Sequence, residues 1–134
     1  MIGWLSGQVQ IRDPRSATVT VDVGGVGYEV RVSIQTLGSI PAVGERCELW
    51  IHTHVREDII ALFGFASAAE RELFLRLLGV PKVGPKNAIA VLGGLPFGEL
   101  VTCLAAGEQG KLEKIPGIGK KTAEQILLSL KGKL

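Results

Sequence analysis

The chain has 134 residues, 46% of them hydrophobic, and a formal charge of +2. That length allows one domain or two small ones, with a core large enough to fold without disulfides. No run of eighteen apolar residues occurs, which excludes a membrane-spanning helix, and Met1-Ile2-Gly3-Trp4-Leu5 lacks the basic and apolar regions of a signal peptide. Cys47 and Cys103 lie in no metal-type spacing and read as small buried hydrophobes of a reducing compartment, so the expected localisation is cytoplasmic. The charge is unevenly divided. Residues 1–63 carry five Lys/Arg against seven Asp/Glu, whereas residues 64–134 carry ten against six and hold every lysine. Taken alone, that basic half reads as a solvated lysine-rich surface; the alternative is a face that meets a polyanion.

Alternation marks the first half. Ile2-Trp4 and Val9-Ile11 frame an opening strand around Gly7. Val19, Val21 and Val23 sit two apart, as do Tyr28, Val30 and Val32, and then Cys47, Leu49 and Ile51. Period two places each set on one sheet face. Gly24-Gly25-Val26-Gly27 supplies the positive φ angles of a tight hairpin, and Asp13-Pro14-Arg15-Ser16 and Pro41-Ala42-Val43-Gly44 are further turn signals. Five or six short strands in residues 1–63 predict a small antiparallel barrel of the oligonucleotide/oligosaccharide-binding (OB) type.

Helical spacing follows a boundary near Gly64-Phe65-Ala66. Ser67-Ala68-Ala69-Glu70 reads as a capping box that opens a helix through Leu73, Phe74, Leu77 and Leu78. Further helices are expected at 85–93, 96–106, 108–114 and 120–131. The predicted fold class is therefore α+β, a barrel over 1–63 and an all-α domain over 64–134.

A shift of 35 residues superimposes one part of that second half on another. Val80-Pro81-Lys82-Val83-Gly84-Pro85-Lys86-Asn87-Ala88 matches Ile115-Pro116-Gly117-Ile118-Gly119-Lys120-Lys121-Thr122-Ala123. Val80, Val83, Ile115 and Ile118 are expected to anchor the turns in the core. Gly84, Gly117 and Gly119 are expected to let the backbone turn sharply and approach a ligand. Each turn then opens a helix, whose unpaired N–H groups and positive dipole end favour a phosphate. Lys86, Lys120 and Lys121 add charge at that place, Thr122 adds a hydroxyl, and Ala88 and Ala123 allow close helix packing. This is the helix-hairpin-helix pattern, twice. The bland reading is two glycine turns without a ligand, and the convergence of lysines with helix N-termini weighs against it. Candidate DNA-binding residues are Lys82, Val83, Gly84, Pro85, Lys86, Asn87, Gly117, Ile118, Gly119, Lys120, Lys121 and Thr122. Lys82 stands where the pattern has its first glycine, so a positive φ there carries a cost. Pro85 removes one N–H, though at a first helical position that N–H has no intrahelical partner. Contacts of this type hold the nucleic-acid backbone and read no bases, and no run of aromatics suits the stacking of single-stranded bases.

A barrel followed by two such hairpins, with Gly24-Gly25-Val26-Gly27-Tyr28, Val55-Arg56-Glu57-Asp58 and Phe63-Gly64-Phe65, resembles the RuvA family from Met1 to the end of the chain. The resemblance implies a homotetramer that holds a four-way (Holliday) DNA junction open and flat, recruits the ATPase motor RuvB, and has the RuvC resolvase as a further partner in recombination and repair. It also implies a role for Glu57 and Asp58, which by themselves read as a solvated turn. In the family this acidic pair forms a pin at the centre of the tetramer, so Glu57 and Asp58 are expected to face the junction crossover, and Arg56 is expected to offset part of their charge by contacting a phosphate. The family continues through a linker into a third helical domain that binds RuvB, whereas this chain stops at Lys131-Gly132-Lys133-Leu134. Junction binding is expected from these residues alone, whereas stable motor coupling through that domain is in doubt.

Other chemistries fit less well. Gly119-Lys120-Lys121-Thr122 resembles the end of a phosphate-binding loop, but Lys121 separates the Gly-Lys pair from the hydroxyl and Lys114 stands where the leading glycine belongs. Residues 64–134 contain no aspartate, which argues against a helix-hairpin-helix glycosylase. His52 and His54 share a strand face without a clear third metal ligand. No catalytic residue, cofactor, metal or membrane association is expected. The remaining alternative is a general helix-hairpin-helix scaffold of a repair or nuclease complex, which requires neither pin nor tetramer.

Overall fold

In the computed structural model, which describes residues 1–131 and 133, the alternating segments become five strands. They are β1 (Trp4–Asp13), β2 (Thr18–Val23), β3 (Val26–Val32), β4 (Arg46–Arg56) and β5 (Ile59–Phe65), with a short helix α1 (Ile34–Ser39) between β3 and β4. They close into a barrel in the order β1-β2-β3-β5-β4, antiparallel except where β5 runs parallel to β3. The opening strand expected around Gly7 forms as β1, beginning at Trp4 with Ile2 before it, and the strands number five among the described residues. β1 pairs with β4 through Trp4–Gln8 and with β2 through Gln8–Asp13, where a register shift between Val9 and Ile11 bends it. Gly7 sits beside this handover because a Cβ there would run into the Asp22 carbonyl.

Alternation fills the barrel. Val19, Val21, Val30, Val32, Leu49 and Ile51 are each no more than 1% exposed, and burying each such side chain stabilises by about 1.5–3 kcal/mol. Between β2 and β3, Gly24 (φ 60°) and Gly25 (φ 92°) form the expected tight turn, and the Asp22 carboxylate accepts the Gly25 N–H at 2.8 Å. Helix α1 was not expected, since only turn residues stood out between β3 and β4. Its signal is Ser33, whose Oγ accepts the Thr36 N–H at 3.1 Å; six residues are too few to show a helical period. Leu37 and Ile40 join the barrel core from this segment.

The helical half consists of α2 (Ala68–Leu78), α3 (Pro85–Gly94), α4 (Phe97–Ala106), α5 (Gln109–Glu113) and α6 (Lys120–Leu130). Each lies within a residue or two of its predicted span, the usual uncertainty of helix ends. The capping box forms with one difference. Ser67 Oγ accepts the Glu70 N–H at 3.2 Å, but the Glu70 carboxylate reaches past Ser67 to the Ala66 N–H at 3.3 Å and also accepts from the Thr36 hydroxyl at 3.1 Å. Met1–Arg71 form one compact unit and the residues from Glu72 onward a second. Gly132 and Leu134, at the end of the expected second domain, lie outside the described residues. Both cysteines are buried, and burial pushes both thiols above the ordinary value. Among the described residues no single helix is long and apolar enough to cross a membrane.

Candidate nucleic-acid interface

The 35-residue repeat is reproduced bond for bond in the backbone. After α2, Val80 N–H donates to Leu77 O (3.0 Å), Val83 N–H to Val80 O (3.1 Å) and Ala88 N–H to Gly84 O (3.0 Å). After α5, Ile115 N–H donates to Leu112 O (3.1 Å), Ile118 N–H to Ile115 O (3.0 Å) and Ala123 N–H to Gly119 O (3.0 Å). The anchors are buried as expected: Val80, Val83, Ile115 and Ile118 lie in the core, and Ala88 and Ala123 are fully covered. A buried anchor on each side of the turn fixes the hairpin, so its tip is held by packing as well as by backbone hydrogen bonds.

The sharp turn falls at a single position in each copy. Gly117 has φ 88° and Lys82, its equivalent, φ 66°. Gly84 (φ −98°, ψ −177°) and Gly119 (φ −86°, ψ 177°) are instead extended N-cap residues of α3 and α6, which corrects the expectation that all three glycines turn the chain. The reversal is completed two residues before each N-cap, and an N-cap ordinarily adopts β-region angles. Among the described residues nothing beyond the chain neighbours would lie within 4 Å of a Cβ at Gly84 or Gly119. Neither backbone angle nor packing demands glycine there. The effect of glycine is to leave both helix ends bare, with no side-chain cap on the first-turn N–H groups. Those are the amides of Lys86 and Asn87 in α3, after Pro85 at the first position, and of Lys120, Lys121 and Thr122 in α6.

Around these bare ends Lys82, Lys86, Lys120 and Lys121 are exposed, and none is engaged in an ion pair; the pairs among the described residues are Arg76–Glu72 and Lys111–Glu108. The two hairpins contribute to one cleft of about 370 Å³, lined by Pro81 and Lys82 from the first and by Lys121, Thr122, Glu124 and Gln125 from the second. Lys86, Asn87 and Lys120 do not line it. Pro81, Glu124 and Gln125 were not singled out from the sequence. The two α6 residues could have been, since they stand three and four positions beyond Lys121 and share its helix face. Glu124 tempers the positive cleft, and its carboxylate accepts from Gln109 Nε2 at 3.5 Å.

The acidic tip belongs to the barrel unit. Glu57 and Asp58 form a two-residue turn closed by the Arg56–Ile59 pair of β4 and β5. Neither has a positive φ, so the turn is not of the primed kind that matches strand twist. Both carboxylates are exposed and without an ion pair. Arg56 Nε donates to His54 Nε2 at 3.1 Å, which draws the guanidinium back along the strand. Val55, Ile59 and Ile60 are 62%, 50% and 74% exposed, giving the tip an apolar collar. The His52 and His54 rings lie 6.0 Å apart, and burial, followed by the positive charges of His54 and Arg71, lowers the His52 pKa. Among the described residues no group of three or more His, Cys, Asp or Glu side chains is placed to hold a metal.

Fold and site together define a class, an OB-type barrel followed by a tandem helix-hairpin-helix domain. Residues 1–64 match the model of the RuvA N terminal domain, and residues 74–132 that of the SAM-like helix-hairpin-helix tandem. Over all 134 residues the chain is 48% identical to the "Holliday junction branch migration complex subunit RuvA" of Methylibium petroleiphilum, covering 69% of that protein, and likewise 48% to that of Leptothrix cholodnii, covering 69%. It is 46% identical to the protein so named from Bordetella pertussis, covering 70% of its length. The chain belongs to the RuvA family.

Proposed function

We propose that this chain binds four-way DNA junctions by structure rather than sequence, as a homotetramer and as a non-catalytic subunit of a branch-migration complex. The observation that carries the reading is the pair of equivalent hairpins, each ending in an uncapped helix N-terminus beside unpaired lysines. Such an end offers fixed N–H donors and positive potential to a phosphate oxygen, while the lysines supply the counterion-releasing charge that dominates affinity for DNA. Nothing in this arrangement reads a base edge, so any duplex arm fits it. The candidate contacts are Lys82 through Asn87 and Gly117 through Thr122. Motor binding by RuvB and contact with RuvC are further parts of this reading, resting on family membership.

The exposed Glu57-Asp58 turn supplies the other half. Unpaired carboxylates repel phosphates, so at a crossover they weaken binding while keeping exchanging strands apart; in a tetramer four copies present eight carboxylates. Arg56 offsets part of that charge. A gel-shift comparison of a synthetic four-way junction with linear duplexes of unrelated sequence, combined with mass in solution, tests the proposal. The expected result is tighter binding to the junction, indifference to sequence, and a tetramer. A monomer with equal affinity for junction and duplex would instead identify a general helix-hairpin-helix scaffold.

A further inference from the structure

Lys82 is one of two non-glycine residues with positive φ among the described residues, the other being Ala17 in the turn between β1 and β2. In the second hairpin the same backbone position is filled by Gly117, which adopts it without steric penalty. An L-residue with a long side chain is disfavoured there because its Cβ crowds the carbonyl oxygen. The hairpin backbone holds Lys82 in place, since its flanking residues are tied down by the Val83 N–H to Val80 O bond and by the burial of both valines. The strained residue is also a cation. Its side chain is exposed, makes no ion pair, and lines the cleft opposite Lys121 and Thr122 of the second hairpin.

We infer that Lys82 contacts a phosphate with its side chain from the strained turn itself, so that the first hairpin gives up fold stability for a charge at its tip and matches the second in cationic side chains. This deepens the reading of the hairpins as backbone clamps and rests on it. The second hairpin delivers its charge from the first turn of α6, through Lys120 and Lys121. The first has one lysine in the corresponding turn of α3, because Pro85 stands where α6 has Lys120. Lys82 restores the balance at two cationic side chains per hairpin and moves one of them to the tip. A persistent strained conformation at an exposed, charged, cleft-lining residue points to a contact made by that side chain.

The inference requires stability and binding to move in opposite directions. Lys82→Gly relieves the strain and removes the charge; Lys82→Ala removes the charge and keeps the strain. Using the intact chain and a linear duplex, both variants should bind several-fold more weakly, with the slope of log K against log salt reduced by about one per engaged protomer. Lys82→Gly alone should raise the melting temperature, by a few degrees, and Lys82→Ala should not. Lys121→Ala serves as the reference. If Lys121→Ala weakens binding and Lys82→Gly leaves affinity and slope unchanged, Lys82 makes no contact and the inference fails while the clamp reading stands. If neither variant changes the slope, the clamp reading itself fails. An unchanged or lowered melting temperature for Lys82→Gly overturns the strain on which the inference is built.

Discussion

The two hairpins have the same backbone and different side chains at the positions that matter. One turns at Lys82 and enters its helix through Pro85; the other turns at Gly117 and enters through Lys120. What they share is therefore the requirement: two buried anchors, one left-handed residue, an extended N-cap glycine and a bare helix end. What differs is how charge reaches that end. The comparison separates geometry, set by Val80, Val83, Ile115 and Ile118, from electrostatics, which the lysines supply from more than one place.

The largest effect should come from removing the shared charge. Lys86→Ala, Lys120→Ala and Lys121→Ala together are expected to weaken duplex binding on the order of a hundredfold at low salt and to flatten the slope of log K against log salt by about 0.9 for each phosphate no longer neutralised. An unchanged slope in a fluorescence-anisotropy titration would mean that the lysines are merely solvated. Next comes geometry. Ile115 packs against Gly94, where even a Cβ would lie 2.5 Å from Ile115 Cγ1. Ile115→Ala should destabilise by about 2–4 kcal/mol and Val80→Ala by roughly 1 kcal/mol less, since one fewer methylene is removed. Equal costs in urea denaturation would show that the anchors do not follow buried volume. A smaller change should follow neutralisation of the barrel tip. Glu57→Gln with Asp58→Asn is expected to raise affinity for linear duplex by about three- to tenfold and to narrow the preference for four-way junctions, as read by competition gel shift. An unaltered preference would remove the pin.

The smallest effect contrasts barrel and hairpins by pH. His52 is held below the ordinary histidine value of 6.5, first by burial and then by the charges of His54 and Arg71. Its neutral form is favoured in the fold, so its contribution is fully present above about pH 6.5 and is lost as pH falls through the lower folded value. Thermal denaturation from pH 8 to pH 5 should show a modest fall in stability that His52→Gln reduces. Neither hairpin contains a histidine, so the dependence of binding on lysine charge should stay flat over the same range.

Much of this was legible in the sequence because period and repeat are local signals. Valines two apart fixed the barrel faces, and a 35-residue shift exposed the hairpins without any knowledge of the fold. Non-local features were harder to read. The opening strand was legible, but its service to two barrel edges was not, since the register shift between Val9 and Ile11 depends on pairing with both β2 and β4. Helix α1 was too short to show a period. Gly84 and Gly119 looked like turn glycines because residue identity does not distinguish a left-handed residue from a bare extended cap. The cleft joining Lys82 to Lys121 depends on how the two copies pack, which spacing within each copy does not reveal.

Amide chemical shifts of the ¹⁵N-labelled protein, followed through titration with a short duplex of arbitrary sequence, test the central claim most directly. The first-turn amides Lys86 and Asn87, and those of Lys120, Lys121 and Thr122, should shift together and saturate with one affinity, while those of the barrel strands stay in place. Movement of only one hairpin's amides, or of the barrel face instead, would contradict the paired backbone grip.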